Sequence, residues 1–193
     1  MKKCECQFVR KEIFMSKKVL IINTSLRNRS NSETLAQSFA DGARSAGNEV
    51  EIVSLKDKTM AFCRGCLACQ KLGRCVIKDD ALEITEKMKN ADVITFSNPI
   101  YYYEMSGQMK TLIDRANSLY PSDYKFREIY LLSTAAEDGD GVDEGAIYGL
   151  NGWIVCYEKC RLAGTVFAGG VNDAGEIANH PSLKTAYEMG ASI

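Results

Sequence analysis

From residue 18 onward, short apolar runs alternate with stretches whose apolar positions recur at helical spacing. Val19, Leu20, Ile21 and Ile22 are apolar on both faces, the pattern of a central parallel strand covered from two sides. Leu35, Phe39 and Ala43, with Ala36 and Ala40 beside them, mark one face of a helix. Residues 50–53 read as a second strand, 93–96 as a third, 129–132 as a fourth and 165–168 as a fifth. Met105, Met109, Leu112, Ile113 and Ala116 lie at helical spacing, and further helices are expected over 145–161 and 182–190. Five strands separated by helices predict an α/β fold, a three-layer doubly wound sandwich around a parallel sheet. No internal repeat or linker divides 18–193, which reads as one domain. Residues 1–17 read as an N-terminal tail. Within it 1–14 carry little periodicity, and Met15 stands directly before the first strong apolar run, as an over-called start would leave it.

The loop after the first strand carries the first sign of chemistry. It runs Thr24, Ser25, Leu26, Arg27, Asn28, Arg29, Ser30, Asn31, Ser32, and a helix follows at once. Ser30 and Glu33 have capping-box spacing, so the helix is expected to start near Ser30 or Asn31. The free N–H groups of its first turn and its dipole then favour an anion in the loop. An ordinary polar turn with an N-cap would look alike in isolation. Position raises the ligand reading, because open α/β sheets bind outside the carboxyl ends of their strands. There is no GxxxxGK run and no GxGxxG after a strand. Gly139, Gly141 and Gly145 imitate part of the latter in an acidic loop after the fourth strand. Cys4 and Arg10 imitate a tyrosine-phosphatase loop ahead of the first strand, with Glu5 between them to repel a phosphate.

After the third strand come Pro99, Ile100, Tyr101, Tyr102, Tyr103 and Glu104. Pro99 stiffens the exit from the strand. Three successive tyrosines cannot all face one core, so at least one is expected to be exposed or to line a pocket. Stiff backbone with aromatic walls suits a planar heterocycle, and a tyrosine-rich subunit interface is the alternative.

With these two loops the chain resembles the NADPH-dependent FMN reductase branch of the flavodoxin-like superfamily, including its iron–sulfur flavoproteins. The phosphate loop of that family, GSPR followed by a polar pair, is similar to Ser25, Arg27, Asn31 and Ser32, with Thr24 in place of the usual glycine. Its ring loop, PxYxxxMSxQxKxxIDR, is matched by Pro99, Tyr101, Met105, Ser106, Gln108, Lys110, Ile113, Asp114 and Arg115. The resemblance implies strand order 2-1-3-4-5. It also implies that Ser25, Arg27, Ser30, Asn31 and Ser32 hold the phosphate of FMN. Pro99, Ile100, Tyr101, Tyr102, Tyr103 and Glu104 would frame the isoalloxazine, with Ala135 and Ala136 closing its other side. The implied activity is FMN-dependent oxidation of NADH or NADPH, with electrons passed to a quinone, a flavin, a metal ion or a protein. The implied chemistry is the cofactor's, so no catalytic side chain is expected. His180, which precedes Pro181, is expected to have a capping or surface role.

Composition narrows the partners. The chain has 193 residues, 46% hydrophobic and 25% charged, with a net charge of −1. It can bury one core, and it has no long-range field to recruit nucleic acid or an anionic membrane. Dedicated flavodoxin carriers are strongly acidic, so this charge favours an enzyme over an electron carrier; a flavin-bound redox sensor is a further alternative. No stretch approaches a bilayer span and no signal-peptide core is present, so the expected compartment is the cytoplasm. A homodimer or tetramer is expected, since a flavin site can be completed across subunits.

Eight cysteines without an export signal point to reduced thiols or a metal site rather than a disulfide framework. Cys63, Cys66, Cys69 and Cys75 form C-x2-C-x2-C-x5-C. That spacing approaches the C-x2-C-x2-C-x3-C run of cluster ferredoxins, and the resemblance above implies a [4Fe–4S] cluster near the flavin. Zinc, or thiols packed as small apolar groups beneath a loop, are the alternatives. Cys156 and Cys160 lie four apart on the expected helix and read as core.

Overall fold

The computed structural model describes residues 15–193. Five parallel strands form one sheet in the order β2-β1-β3-β4-β5. They are β1 (Lys18–Asn23), β2 (Glu49–Ser54), β3 (Val93–Pro99), β4 (Glu128–Thr134) and β5 (Arg161–Ala168). All five expected strands are present, extended by polar or small residues that periodicity does not mark and, in β5, also by Leu162. Helices cover both faces: α1 (Asn31–Ser45), α2 (Ala68–Leu72), α3 (Ala81–Asn90), α4 (Gly107–Arg115), α5 (Glu144–Ile154) and α6 (Ser182–Ala191). This is the flavodoxin-like arrangement.

Alternate residues of β1 divide the core. Leu20 and Ile22 pack with Ile94, Phe96, Met109 and Leu112 beneath α3, α4 and α5. Val19 and Ile21 pack with Leu35, Phe39 and Ala186 beneath α1 and α6. A strand apolar on both faces therefore lies mid-sheet, as its sequence requires. On the second face α1 and α6 approach backbone to backbone through glycine. A Cβ on Gly42 would fall on the Tyr187 carbonyl oxygen, and one on Gly190 on that of Phe39.

Three expectations change. The helix foreseen over 145–161 ends at Ile154. Cys156 consequently sits exposed in the turn that follows, not in the core. Cys160 does pack against the core, and burial raises its thiol pKa to about 11. Finally, Lys17 belongs to the domain and not to a tail: its N–H donates to Asn48 Oδ1, and its ammonium pairs with Glu128 at 3.0 Å. The tail at 1–14 and the Cys4–Arg10 decoy lie outside the described residues. No helix among the described residues is long and apolar enough to cross a membrane.

Candidate functional site

At the carboxyl edge of the sheet the loops after β1, β3, β4 and β5 converge. The first wall is the loop from Thr24 to Ser30. Thr24 is fully buried; its N–H donates to Ser97 O at 2.9 Å, and its hydroxyl donates to Asn98 Oδ1 at 3.0 Å. The same hydroxyl lies 3.1 Å from Ser106 Oγ, the N-cap of α4. The residue that departs from the family's glycine thus ties the β1 loop to the helix that follows the β3 loop. Arg29, at φ 50°, turns the chain through the left-handed region.

Ser30 caps α1 as its spacing predicts, its Oγ accepting from Glu33 N at 3.1 Å. Thr34 N donates to Ser30 O. First-turn N–H groups have no acceptor inside a helix. Those of Asn31 and Ser32 find none among the described residues. Two backbone donors at the positive end of the helix dipole are therefore available to an anion.

The side chains divide their work. Ser25 is buried, its Oγ accepting from Arg27 N at 3.3 Å. Arg27 is half-exposed and donates to Asn172 O at 2.6 Å, across the mouth of the cleft. The Asn31 amide is committed elsewhere. Its Nδ2 donates to Asp173 O, and its Oδ1 accepts from the N–H groups of Gly175 and Ile177. Asn31 therefore fixes the loop between β5 and α6, leaving only its backbone N–H to face a ligand. Ser32 Oγ shares a hydrogen bond of 2.8 Å with Thr134 Oγ1 at the end of β4.

The second wall is a two-residue hairpin. Tyr101 and Glu104 exchange both backbone hydrogen bonds, at 3.0 and 3.1 Å, around Tyr102 and Tyr103. Those two tyrosines have φ of 51° and 64°, the signature of a type I′ turn, where Asn-Gly is the usual choice. Holding non-glycine residues there costs about 1–2 kcal/mol each. Strain of this kind collects at functional sites. All three tyrosines are exposed, Tyr102 almost completely at 99%. The hairpin rests on α5: a Cβ on Gly145 would fall on the Tyr103 carbonyl oxygen, and one on Gly149 would lie 2.8 Å from Met105 Cε. Gly145, one of the three glycines that imitate a nucleotide motif, is in fact a spacer. Gly145→Ala is expected to destabilise the fold by about 1–3 kcal/mol through overpacking and to shift the tyrosines. Thermal unfolding and the fluorescence of bound flavin would register both effects.

Together these loops line a cleft of about 160 Å³. The expected residues Ser25, Arg27, Ser30, Asn31 and Ser32 line one side, and Pro99, Ile100, Tyr101, Ala135 and Ala136 the other. Tyr102, Tyr103 and Glu104 lie outside it on the hairpin, with Glu104 accepting from Met105 N at 2.9 Å. Thr134, Val171 and Asn172 also line the cleft and were not foreseen. The only available signal was their place at the end of β4 and after β5. Pockets that enclose a whole ligand measure roughly 300–1,000 Å³. This cleft is smaller and would enclose only part of a ligand of that size. His180 lies elsewhere, its Nδ1 accepting from Ser182 N at the start of α6, the expected capping role.

The cysteine segment leaves β2 and returns to α3 on the α4 side of the sheet. Its base is closed by Arg115, the last residue of α4 and wholly buried. Arg115 donates to both oxygens of Asp79 at 2.6 and 2.8 Å, to Ala61 O at 2.7 Å and to Ile77 O at 3.2 Å. Burial alone would raise the Asp79 pKa. The Arg115 bonds, helped by the N–H groups of Ala61 and Ala81, outweigh it and hold the carboxyl below its ordinary value. Arg115 in turn is held above its ordinary pKa, first by Asp79 and, against the cost of burial, also by the Cys75 thiol.

Cys63 and Cys66 are exposed, Cys69 and Cys75 half-buried. Asn117 Nδ2 donates to Cys69 Sγ at 3.3 Å, and Gly65 N to Cys63 Sγ at 3.5 Å. Four sulfur donors without oxygen suit a soft metal or an iron–sulfur cluster. As a donor set they fit. They are not gathered into one shell, and no group of three or more His, Cys, Asp or Glu among the described residues is placed to hold a metal ion.

Comparison with known proteins bears on the family and the fold. The model of a family described as NADPH-dependent FMN reductase matches residues 17–145. An iron–sulfur flavoprotein of Archaeoglobus fulgidus is 39% identical over 110 residues, covering 57% of this chain and 54% of the relative. The chain thus aligns with about half the length of that relative. An iron–sulfur flavoprotein of Methanosarcina thermophila is 27% identical over 173 residues, covering 89% of this chain and 87% of the relative. Among solved structures, an NAD(P)H:quinone oxidoreductase from Methanothermobacter marburgensis superposes with a TM-score of 0.72 at 17% identity. That match covers 92% of this chain and 96% of the other, a likeness of fold.

Proposed function

The chain belongs to the NADPH-dependent FMN reductase family of oxidoreductases, and from that premise we propose that it binds FMN in the cleft at the carboxyl edge. There FMN would mediate electron transfer from a nicotinamide to a second acceptor. The observation that carries the reading is one convergence: two unpartnered N–H groups of α1, the Ser25 hydroxyl and Arg27 meet at one small cleft with Tyr101, the foot of a strained tyrosine hairpin. Bound FMN would supply hydride acceptance from the nicotinamide and release of electrons to the acceptor.

The chain's own residues bind and orient. The N–H groups of Asn31 and Ser32, with Ser25 and Arg27, would hold the phosphate dianion without burying a counter-charge. Arg27 exchanges its carbonyl contact for the phosphate. Tyr101, Tyr102 and Tyr103 would support one face of the ring, and Ala135 and Ala136 are too small to block approach to its far side. A quinone, a free flavin, a metal ion or a protein is the acceptor class this open edge admits. Cys63, Cys66, Cys69 and Cys75 would hold a cluster at the same edge and make a one-electron partner accessible. A homodimer or tetramer would cover the exposed tyrosines.

The test is phosphate-specific. Arg27→Ala is expected to weaken FMN about ten- to a hundredfold, the loss of one charge-assisted hydrogen bond of about 1.5–3 kcal/mol. Riboflavin, which lacks the phosphate, should bind parent and variant alike. Equal losses for both ligands would show the phosphate to be elsewhere. Anaerobic NADPH or NADH should bleach the bound flavin, and the absence of bleaching with either would leave a carrier or sensor.

A further inference from the structure

The surroundings of the four cysteines are one-sided in two respects. The first is hydrogen bonding. Asn117 lies in the single 3-10 turn Ala116–Leu119 that follows α4, and α2, which carries Cys69, packs on that turn. Asn117 Nδ2 donates to Cys69 Sγ at 3.3 Å. Two residues earlier, Arg115 spends its terminal nitrogens on Asp79, Ala61 O and Ile77 O. Its Nε is buried without a hydrogen-bond partner among the described residues, and the Cys75 thiol stands against the same guanidinium. A buried donor left unpaired is costly, so an acceptor for it is expected. The two half-buried cysteines thus meet donors from one short stretch of chain, while Cys63 and Cys66 are exposed. The second respect is charge. Residues 61–78 include Arg64, Lys71, Arg74 and Lys78 and no Asp or Glu, in a chain whose net charge is −1. None of these four cations pairs with a carboxylate among the described residues.

We propose that Asn117 and Arg115 are positioning residues of the sulfur site, their Nδ2 and Nε holding Cys69 and Cys75 in place and stabilising the negative charge on those sulfurs. Four thiolates on one metal keep a net negative charge, which neighbouring cations and donors offset. Partners outside the ligand set orient the ligands and tune the metal, and hydrogen bonds to sulfur help set the reduction potential. A donor to sulfur favours the more electron-rich, reduced form, so its loss lowers that potential. The inference rests on the reading that the four cysteines hold a metal or a cluster. It goes beyond that reading by naming two residues that are not ligands and by giving the site a fixed half and an open half.

The experiment uses the full chain loaded with FMN, as the parent, Asn117→Ala and Asn117→Asp. Asn117 carries the test because Arg115 also holds the fold. The first probe is Co²⁺ alone, titrated anaerobically and followed by its thiolate-bound absorption at wavelengths beyond the flavin bands. Asn117→Ala should weaken Co²⁺ about ten- to a hundredfold, the usual loss for an outer partner of a metal ligand. Asn117→Asp keeps the shape but turns the donor into an acceptor, and should lose at least as much. The second probe is the protein reconstituted with iron and sulfide, its reduction potential read by electron paramagnetic resonance. The potential should fall in the same order, the parent highest and Asn117→Asp lowest. Flavin content, which reports folding and the cleft, should be the same in all three. A role in packing alone would spare Asn117→Asp and penalise Asn117→Ala, and that order would overturn the proposal. Affinities and potentials unchanged in both variants would overturn it too, while leaving the metal reading intact. A parent that takes up neither Co²⁺ nor iron would overturn the proposal together with the metal reading, and leave the flavin site standing.

Discussion

Arg115→Met is expected to lower the unfolding free energy by about 3–5 kcal/mol, the cost of stripping one partner from a buried ion pair. The guanidinium is fully enclosed and donates four hydrogen bonds, two to Asp79 and one each to Ala61 O and Ile77 O. Methionine fills a similar volume and leaves the Asp79 carboxylate buried without a cation. Urea denaturation reads the loss directly. Because Arg115 joins both ends of the cysteine segment, trypsin should also cut the variant faster at Arg64, Lys71 and Arg74. An unchanged midpoint and cleavage pattern would show that the segment is held by something else. Adding Asp79→Leu should recover part of the stability, since no orphaned charge remains. Acid should act like the mutation. The Asp79 pKa is lowered in the folded state, so its contribution is full above the unfolded value of about 3.9 and fades as pH falls through the lower folded value.

Anaerobic reconstitution with iron and sulfide is expected to leave about four irons per chain in the parent and none in Cys66→Ala. Flavin content should be the same in both, because Cys66 stands exposed in the segment and does not line the cleft. A chain that takes up no iron would confine electron transfer to the flavin. Iron retained in full by the variant would remove Cys66 from the ligand set. Zinc in place of iron would give the segment a structural role.

The strands were legible because each is a short, mostly apolar run rich in β-branched and aromatic residues, and β1 in particular could be assigned to mid-sheet from its two apolar faces. The start of α1 was legible to the residue, since Ser30 and Glu33 announce their own hydrogen bond. Helix α3 was not singled out. Its stripe of Ala81, Ile84, Thr85 and Met88 includes a buried threonine whose hydroxyl bonds back to Ala81 O, which breaks the apolar signature. The end of α5 was misjudged because Tyr157 and Cys160 continue the helical spacing while packing from a turn. In the candidate site, residue types marked two loops that the fold brings to one cleft, but not which atoms are spoken for. Asn31 is a plausible phosphate ligand by type, yet its amide is consumed by a loop more than 140 positions away, a pairing only the folded chain reveals. The clamp of Arg115 on Ala61 and Ile77 is hidden for the same reason.

The tyrosine hairpin also bears on how this chain tolerates change. Its two central positions favour Asn-Gly on backbone grounds alone, so a library ranked by thermal resistance would be drawn toward that pair at 102 and 103. The winners would keep the sheet, the core and the cleft, and would lose the aromatic surface beside it. At this turn, heat tolerance and an exposed aromatic surface are opposed. A stabilised descendant that keeps both tyrosines would have to find its gains elsewhere.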